Sequence, residues 1–530
     1  MEDRSFLGLD LSTQQLKAVV VNDNLEIIHQ ASVHFDSDLP EFRTQGGVVI
    51  DKTSPRCITA PTIMFVKALD MLMDRLTVTG VDFSKIAAVS GSAQQHGSVY
   101  WQKGAEKILS NLNPSEFLHL QLATSFAINQ SPVWMDSSTT KQCQHFEKLV
   151  GGPQKLAEIT GSRAYERFTG TQIAKLAISK PDAFKITERI SLISSFLTSL
   201  FLGKIAPIDI SDGSGMNLLN INTKKWEKVL LEACGPNAID KLGEEVVPSN
   251  TNLGKISNYY VERYGFSPEC RIITGTGDNP ASLMGMRLQD DCVAVSLGTS
   301  DTVILWLNEP KVVLDGHILC NPVNPEAYMA LLCFKNGSRT RERIRDKCAE
   351  GSWDIFNQLL DSTPRGNFGN MALYYDVQEI LPFLQGDHRY NKSGPVNKFT
   401  SLEVEVRALV EGQFIAKRAY AEDFGFKVGK NTKILATGGA SNNKSILQVL
   451  ADVFNAPVYV QEASDSAMLG AAYQAKHGLL QDSSTFTEIT ACLPPSELAC
   501  APFSDAADIY EPMLERYRMI IKNLVPTEIQ

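Results

Sequence analysis

The sequence predicts an α/β protein built from two similar lobes. Apolar runs typical of strands alternate with segments of helical spacing along most of the 530 residues, and this alternation is typical of α/β folds. The chain is also longer than the roughly 250–300 residues at which one hydrophobic core stops growing, so we expect at least two domains. Two distant stretches, residues 5–21 and 293–307, share one strand–turn–strand pattern, which indicates that a whole lobe is duplicated.

The first stretch has the sequence SFLGLDLSTQQLKAVVV, in which an apolar run ends at Asp10 and a second one follows a polar turn. Two short apolar runs joined by a small polar turn predict a β-hairpin. The turn combines the Asp10 carboxylate with the hydroxyls of Ser12 and Thr13 and with Lys17. Its backbone N–H groups could bind an anion, and a carboxylate beside phosphate oxygens suits Mg²⁺. A solvated turn without a ligand is the alternative, because Asp, Ser and Thr are common turn residues.

The second stretch, residues 293–307, has the sequence VAVSLGTSDTVILWL and repeats the pattern around Thr299. An apolar strand again enters a turn of Gly, Ser and Thr and leaves on a strand rich in β-branched residues. Two such hairpins suggest two lobes that face one nucleotide. We place the boundary between the lobes near residues 285–292, which gives domains at residues 1–288 and 289–530.

Further elements follow from the spacing of apolar residues. Helices are predicted at residues 63–76, 173–178, 190–203, 403–421, 445–454, 467–477 and 510–524. Strands are predicted at residues 86–89, 99–101, 433–437 and 457–460. The segment 190–203 is predicted to be a buried helix, since it is too short for a membrane span of ~20 residues.

The composition argues against several classes of protein. The formal net charge of −10 does not favour a nucleic-acid-binding protein, which would carry a basic stripe. Ten cysteines without a Cys-x-x-Cys pair predict reduced thiols in a cytoplasmic protein. Charged residues at positions 2–4 precede the first strand, so we expect no secretory signal.

Asp278 is a candidate general base. It follows a turn that contains Gly275 and Gly277, at the end of an apolar strand, and α/β sheets bind ligands at such strand ends. A carboxylate there could accept the proton of a substrate hydroxyl, as an aspartate does in protein kinases. Alternatively, Asn279 caps a helix whose first residue is Pro280. The two interpretations are compatible, because Asn279 could cap the helix while Asp278 faces a ligand.

A cluster of neutral hydrogen-bonding residues, Gln94-Gln95-His96-Gly97, follows the strand at residues 86–89. Such groups suit a substrate with many hydroxyls, although turn residues bonded to their own neighbours explain the cluster too. Arg167 could bind a hydroxyl or a carboxylate, or form a surface salt bridge. For Asp136, a structural role is favoured over a metal-bound water.

The segment Gly438-Gly439-Ala440-Ser441-Asn442 joins a strand to a helix, and its glycines would let a flat group approach the backbone. It lacks the Gly-Lys-Ser/Thr of a Walker loop and the Gly-x-Gly-x-x-Gly dinucleotide motif. No His/Cys spacing indicates zinc. A second turn-rich segment, residues 208–219, has no function assigned from the sequence.

Together these motifs resemble those of the FGGY carbohydrate kinases, which belong to the actin/hexokinase/Hsp70-like ATPase superfamily. The resemblance extends from Gly8 to about Tyr473. It rests on LDLSTQQLK (9–17), LPEFRTQGG (39–47), QQHGSVYW (94–101), WMDSSTT (134–140), SRAYERFTG (162–170), GDNPASL (277–283), SLGTSDT (296–302) and ATGGASN (436–442). It implies two actin/hexokinase/Hsp70-like (ribonuclease H-like) lobes with the active site in the interlobe cleft.

The resemblance also implies an activity, namely phosphorylation of D-xylulose to D-xylulose 5-phosphate with Mg-ATP as the phosphoryl donor. A kinase for another ketose or polyol, such as ribulose or glycerol, is the alternative, and an actin-like ATP-gated protein without kinase activity is a more remote one. The expected partners are the sugar and ATP, without nucleic acid or membrane, in a monomer or homodimer.

Site residues carry over from the family position by position. The resemblance assigns Asp278 as the general base and Asp10 as the Mg²⁺ ligand. Ketose contacts are implied for His96, Arg167, Asp278 and Asn279. ATP contacts are implied for Ser12, Thr13, Lys17, Thr299, Trp353, Gly438, Gly439 and Asn442. Two positions depart from the common family pattern: Ser12 replaces a glycine in Asp-x-Gly-Thr, and Ser138 replaces the arginine in Trp-x-Asp-x-Arg.

Overall fold

A computed structural model describes residues 4–461 and 465–525 of the chain. These residues form two compact units. Unit 1 comprises residues 4–287, 319–326 and 465–494, and unit 2 comprises residues 288–318, 327–461 and 495–525. Each unit is thus built from more than one stretch of the chain, whereas the sequence-based domains are continuous; the latter stay a prediction.

Unit 1 is built on a seven-stranded mixed sheet. Its order is Asn252–Lys255, Arg271–Ile273, Ile86–Ala93, Ser5–Leu11, Gln15–Asn22 and Ile27–His34, with Thr276–Gly277 also paired to Ile86–Ala93. The first two strands of the chain form the predicted hairpin, in which Asp10 lies opposite Lys17. Asp10 also lies beside Ser92 of the parallel neighbour, and Gly277 lies beside Ala93. The ends of three parallel strands therefore meet at one edge, where Asp278 follows directly.

Helices cover both faces of this sheet. Successive side chains of the first strand point to opposite faces of the sheet. Leu7, Leu9 and Leu11 therefore pack against one helical layer, and Phe6 packs against the other. Gly8 is needed for this packing, because a Cβ atom there would lie 2.4 Å from the backbone nitrogen of Ala472. The helices of unit 1 are Phe35–Asp38, Thr62–Val78, Ala105–Leu109, Leu118–Gln121, Thr140–Val150, Pro153–Thr160, Thr169–Ser179, Pro181–Ile186, Ile193–Leu202, Ile210–Gly213, Lys228–Ala233, Ala238–Leu242, Asn258–Tyr264, Asp278–Gly285, Ser466–Leu480 and Phe486–Thr490.

A second hydrophobic core in unit 1 is separate from the two clusters that contain the leucines and Phe6 of the first strand. Its strands Thr187–Leu192, Ser98–Gln102 and Phe126–Ile128 form one small sheet. Two further small sheets of unit 1 contain Val49–Ile50, Ile58–Pro61 and Gln130–Pro132, and Leu219–Asn220 and Lys225–Trp226.

Unit 2 repeats the sheet of unit 1. Its order is His317–Cys320, Tyr328–Phe334, Asp301–Leu307, Cys292–Leu297, Lys433–Thr437, Val458–Val460 and Glu497–Cys500. In both units three antiparallel strands are followed by two parallel strands and an antiparallel strand. This shared order confirms the prediction of two similar α/β lobes. The helices are Ser338–Cys348, Trp353–Ser362, Leu402–Asp423, Lys444–Phe454 and Ala506–Leu524, and a small sheet contains Met371–Tyr375, Gly386–Asn391 and Gly394–Val396.

One predicted element is partly wrong. Residues 190–203 were expected to form one helix, but Thr187–Leu192 is a strand and the helix is Ile193–Leu202. The strand forms because Ile190 pairs with Tyr100 of the strand Ser98–Gln102. The whole apolar run is buried on all sides, so its spacing cannot separate strand from helix.

The remaining predicted strands and helices coincide with or overlap observed ones of the same type. Most observed elements are one to four residues longer at an end, whereas Lys433–Thr437 has the predicted bounds and Val458–Val460 begins one residue later than predicted. All ten cysteines are unpaired, as predicted for reduced thiols. In the part of the chain that the structure describes, no helix combines the length and apolarity needed to cross a membrane.

Candidate active site

Asp10 is buried at the end of the first strand and is held by two neighbours. Its Oδ1 atom accepts a hydrogen bond of 2.9 Å from Ser92 Oγ, and its Oδ2 atom lies 3.8 Å from Lys17 Nζ. Burial raises the pKa of Asp10, although Lys17 and Ser92 counteract this effect. Lys17 Nζ also donates to Asp465 Oδ1 at 2.5 Å. One ammonium group therefore lies between two carboxylates, which leaves an excess of negative charge beside the hairpin turn.

Asp465 was not found from the sequence. It lies in the left-handed region, with φ of 69°, directly before the helix Ser466–Leu480. The distance of 448 positions between Lys17 and Asp465 explains why no local pattern connects them.

The hairpin turn itself is ordered by its own side chains. Ser12 Oγ donates to the backbone oxygen of Gln15 at 3.1 Å, and Thr13 Oγ1 accepts from Trp134 Nε1 at 2.9 Å. Both hydroxyls predicted to lie near phosphates thus have partners within the protein. These contacts fix the backbone of the turn.

Asp278 is the first residue of the helix Asp278–Gly285 and lies close to two other carboxylates. Burial raises its pKa to about 8, and the neighbouring carboxylates of Asp10 and Asp212 add to this effect. The carboxyl group therefore titrates close to neutral pH, which suits a general base.

The capping role considered for Asn279 is wrong. The N-cap position belongs to Gly277, and Asn279 already lies inside the first helical turn. Its Nδ2 atom donates to Gln95 Oε1 at 2.8 Å and to Asp278 Oδ1 at 3.1 Å. Asn279 therefore joins the helix start to the strand end that carries Gln95.

His96 follows the same strand end and is held in one orientation. Its φ of 69° lies in the left-handed region, and its ring stacks on Phe168 with centroids 4.3 Å apart. Burial lowers the pKa of His96 to about 3, and the nearby Arg167 contributes to the shift. Because the carbonyl oxygen of Gly215 only accepts, Nδ1, 2.9 Å from it, must carry the proton of the neutral ring. Nε2 is then a hydrogen-bond acceptor.

Arg167 lies near His96, since both side chains contact the ring of Phe168. Its guanidinium carbon lies 4.9 Å from the ring centroid of Tyr165 and 5.6 Å from that of Phe168. The side chain is half-buried, and the two aromatic rings limit its orientations. Unit 1 thus brings together Arg167 and His96 around one aromatic residue.

Asp136 has the structural role that the sequence favoured. Burial opposes its ionisation, but hydrogen bonds from Ser138 and Gln172 and the charge of Lys175 hold its pKa below the usual range. Asp136 also accepts from the backbone nitrogen of Ile58 at 3.0 Å. The carboxylate is therefore fully engaged in tying a loop to a helix.

In unit 2, Thr299 lies in the exposed turn between the strands Cys292–Leu297 and Asp301–Leu307. The base of this turn is fixed, because Ser338 donates its backbone N–H to the oxygen of Gly298 at 2.8 Å. Asp301, two residues beyond Thr299, is fully buried and paired with cationic side chains.

The predicted adenosine residues of unit 2 lie on two connected segments. Gly438 has φ of 85°, and Gly439–Asn442 is a short 3-10 helix with both glycines exposed. Asn443, which follows it, donates to Asn357 Oδ1 at 2.9 Å. Asn357 belongs to the helix that begins with Trp353, so unit 2 brings the glycine loop and this helix together. One face of the Trp353 ring lies 4.8 Å from the Arg345 guanidinium carbon.

Three more polar side chains of unit 1 lie near these residues, namely Gln94 and Gln95 of the predicted cluster, and Asp212, which had no role assigned from the sequence. Gln95 and Asp212 form a hydrogen bond, whereas the amide of Gln94, which is 2% exposed, has no hydrogen-bond partner among the described residues. A buried amide without a protein partner is typical of a group that binds water or a ligand. The Gln94-Gln95-His96 cluster was a signal for two of these residues, but no signal pointed to Asp212.

Comparisons with known proteins agree with this geometry. Residues 126–285 match the N-terminal domain of the FGGY family of carbohydrate kinases, and residues 293–479 match its C-terminal domain. The chain is 54% identical to the xylulose kinase of Rattus norvegicus, over 97% of this chain and 96% of that protein. It is 49% identical to xylulose kinase 2 of Arabidopsis thaliana, over 90% of this chain and 88% of that protein.

The fold is also found in crystal structures. The xylulose kinase of Rhodospirillum rubrum superposes with a TM-score of 0.80 over 98% of this chain and 99% of that one, at 15% sequence identity. At such low identity the likeness shows the fold alone. The domain matches and the close relatives show more, namely that the chain belongs to the FGGY family of carbohydrate kinases.

Proposed function

We propose that this chain transfers the γ-phosphoryl group of ATP to D-xylulose and releases D-xylulose 5-phosphate and ADP. The observation that carries the proposal is the 54% identity with a xylulose kinase over 97% of the chain. Likeness of this extent covers the whole protein and not only the short motifs that many sugar kinases share.

Asp278 is proposed as the general base. A base works best when its pKa lies near the working pH, and the pKa of Asp278 is raised to about 8. Asp278 would accept the proton of the C5 hydroxyl while that oxygen forms its bond to the γ-phosphorus and the bond to ADP breaks. Most of the rate enhancement would come from positioning and from stabilisation of the developing charge.

Three further side chains of unit 1 are proposed to bind the ketose. Neutral His96 offers Nε2 as an acceptor, and Arg167 offers only donors. Asn279 lies next to the base and shares a hydrogen bond with it. Acceptors and donors of this kind suit the hydroxyl and carbonyl groups of a ketose.

Two sets of residues are proposed to contact the nucleotide. In unit 1 these are Ser12, Thr13 and Lys17 of the first hairpin. In unit 2 they are Thr299 near the phosphates, and Trp353, Gly438, Gly439 and Asn442 near the adenosine. The repeated hairpins support this assignment, because both expose turn residues at the end of a strand pair.

Mg²⁺ is proposed to bind at Asp10. The buried carboxylate of Asp10 and the nearby Asp465 give local negative charge. Within residues 4–461 and 465–525 no group of three or more His, Cys, Asp or Glu side chains could hold a metal. A site with only one or two carboxylates still suits Mg²⁺, because this ion often completes its shell with phosphate oxygens and water. When bound, the ion would neutralise charge on the phosphates.

A coupled assay of ADP release tests the proposal. The chain would be mixed with Mg-ATP and with D-xylulose, D-ribulose, glycerol or no sugar. We expect strong stimulation by D-xylulose alone. Stimulation by a different sugar would overturn the substrate and keep the kinase, and ADP release that no sugar stimulates would overturn the kinase proposal.

Location and assembly are proposals as well. Ten unpaired cysteines support a reducing compartment such as the cytoplasm. A monomer or homodimer is expected, and sedimentation analysis would distinguish the two.

A further inference from the structure

We propose that Asp212 and Gln95 are positioning residues that orient the amide of Asn279, so that its oxygen accepts a hydrogen bond from a sugar hydroxyl. The inference rests on the proposed sugar kinase function. It assigns a role to the turn-rich segment at residues 208–219, which the sequence left without one.

Asp212 is held in a fixed position. It lies in the short helix Ile210–Gly213 and is 2% exposed. Its backbone N–H donates to Asp209 Oδ2 at 2.9 Å, and Asp209 also accepts from Ser249 Oγ at 2.5 Å and from Thr276 Oγ1. Thr276 belongs to the strand that precedes Asp278. The segment is therefore tied to the strand end that carries the proposed base.

The hydrogen bonds of Asp212 set the orientation of Gln95. Asp212 Oδ2 accepts from Ser194 Oγ at 2.6 Å, and Oδ1 accepts from Gln95 Nε2 at 3.1 Å. Both oxygens of Asp212 are acceptors in these two hydrogen bonds, so Gln95 turns its NH₂ group towards Asp212. Its oxygen, Oε1, is then directed at Asn279.

Gln95 in turn orients the amide of Asn279. Gln95 Oε1 can only accept, so Asn279 must direct Nδ2 at it, and this hydrogen bond measures 2.8 Å. The second N–H of the same group donates to Asp278 Oδ1 at 3.1 Å. Both donors of Asn279 are thus used within the protein, and Oδ1, an acceptor, is what the amide offers to a ligand.

Gly277 makes this arrangement possible. A Cβ atom at this position would lie 2.5 Å from Gln95 Cγ and 2.7 Å from Asp212 Oδ1. Any side chain at residue 277 would therefore push Gln95 and Asp212 apart. The glycine before the proposed base thus allows the close approach of both positioning residues.

The same segment also orients His96. The oxygen of Gly215, three residues after Asp212, accepts from His96 Nδ1 at 2.9 Å and thereby makes Nε2 the acceptor. Residues 212–215 therefore set the hydrogen-bonding direction of both His96 and Asn279. A sugar hydroxyl that meets either residue would act as the donor.

Four variants test the proposal, each assayed with the sugar that stimulates the wild-type chain. Gln95→Met keeps the length of the side chain and removes both hydrogen bonds. Asp212→Leu removes the acceptor, whereas Asp212→Asn can still accept from Gln95 through its oxygen and donate to Ser194 Oγ. Asp70→Asn is the matched control, because Asp70 is an equally buried carboxyl group that is bonded to His119 instead.

We expect Gln95→Met and Asp212→Leu to lower kcat/KM for the sugar by about 10- to 100-fold, mainly through KM, since a buried polar group loses its partner. KM for ATP should stay within about twofold of wild type. Asp212→Asn should keep KM for the sugar near that of wild type, and the control Asp70→Asn should keep both KM and kcat near wild type. If Asp212→Asn behaves like Asp212→Leu, the orientation of the amide is not what Asp212 provides, and the proposal is wrong.

A second readout separates orientation from general damage to the site. Monodeoxy analogues of the sugar would be assayed with wild type and with Gln95→Met. The wild type should reject most strongly the analogue that lacks the hydroxyl bound by Asn279, and this discrimination should collapse in Gln95→Met. Equal losses for the parent sugar and every analogue would overturn the proposal. If Gln95→Met does not fold, as judged by circular dichroism, Gln95→Asn breaks the same two hydrogen bonds.

Discussion

The Arg341 guanidinium binds both oxygens of the Asp301 carboxylate, with Nη1 2.8 Å from Oδ2 and Nη2 2.9 Å from Oδ1, and both side chains are fully buried. Lys417 Nζ lies 2.9 Å from the same Oδ2 atom. Burial opposes ionisation of Asp301, but Lys417 and Arg341 hold its pKa below the usual range. Asp301 comes directly after the turn that carries Thr299. The ion cluster around Asp301 therefore anchors one proposed phosphate-binding segment.

Arg341→Met should lower the free energy of unfolding by about 3–5 kcal/mol, because removal of one partner leaves buried charge uncompensated. It should also raise KM for ATP, since the turn at Thr299 loses its anchor. Urea unfolding and steady-state kinetics measure the two effects. Arg365→Met is the control, because Arg365 pairs with the half-exposed Asp505 at the surface. A loss of stability no larger than that of the control would contradict the anchoring role.

Asp278→Asn should make the protein more stable, and more so at pH 8 than at pH 5. The pKa of Asp278 is raised to about 8 in the folded protein, from an ordinary value near 4. Between these values the folded state keeps a proton that the unfolded state has lost, so stability falls as the pH rises. The substitution removes this cost.

The expected gain from Asp278→Asn at pH 8 is about 1–3 kcal/mol, because each pKa unit corresponds to about 1.4 kcal/mol and the side chain is only partly buried. Urea midpoints of both proteins at pH 5 and pH 8 measure it. A gain that is the same at both pH values would show that the pKa of Asp278 is not raised in the folded protein.

Trp353→Ala should weaken ATP binding and leave sugar binding unchanged. Arg345 lies against one face of the Trp353 ring. The adenine is proposed to stack on this ring, and the substitution removes the stacking surface. We expect KM for ATP to rise by about 10-fold, in the range known for base–aromatic stacking. Phe383→Ala is the control, since Phe383 is an exposed aromatic residue of the same unit. An unchanged KM for ATP in Trp353→Ala would remove Trp353 from the nucleotide site.

Much of the fold was predictable from the sequence because its signals are local. The hairpin around Asp10 combines two apolar runs with a polar turn, and the structure has these elements at Ser5–Leu11 and Gln15–Asn22. The segment around Ile190 was misjudged for the opposite reason. Its strand character depends on pairing with a strand about 90 residues earlier, a contact that apolar spacing does not encode.

The candidate site was predictable only in part. Asp278 stands out because glycines and an apolar strand precede it. Asp465 and Asp212 do not, because their partners Lys17 and Gln95 are 448 and 117 positions away in the sequence. The raised pKa of Asp278 likewise arises from burial and from carboxylates on other strands and helices, which only the folded chain brings together.

The measurement that tests the proposed chemistry most directly is the turnover of Asp278→Asn with D-xylulose and Mg-ATP, together with its affinity for ATP. Asparagine keeps the size of the side chain and can accept the hydrogen bond from Asn279, but it cannot take a proton from the sugar. We expect kcat to fall by about 10²- to 10⁴-fold, the usual contribution of a general base, while ATP affinity stays near wild type. Near-normal turnover in this variant would contradict the role of Asp278 as the base.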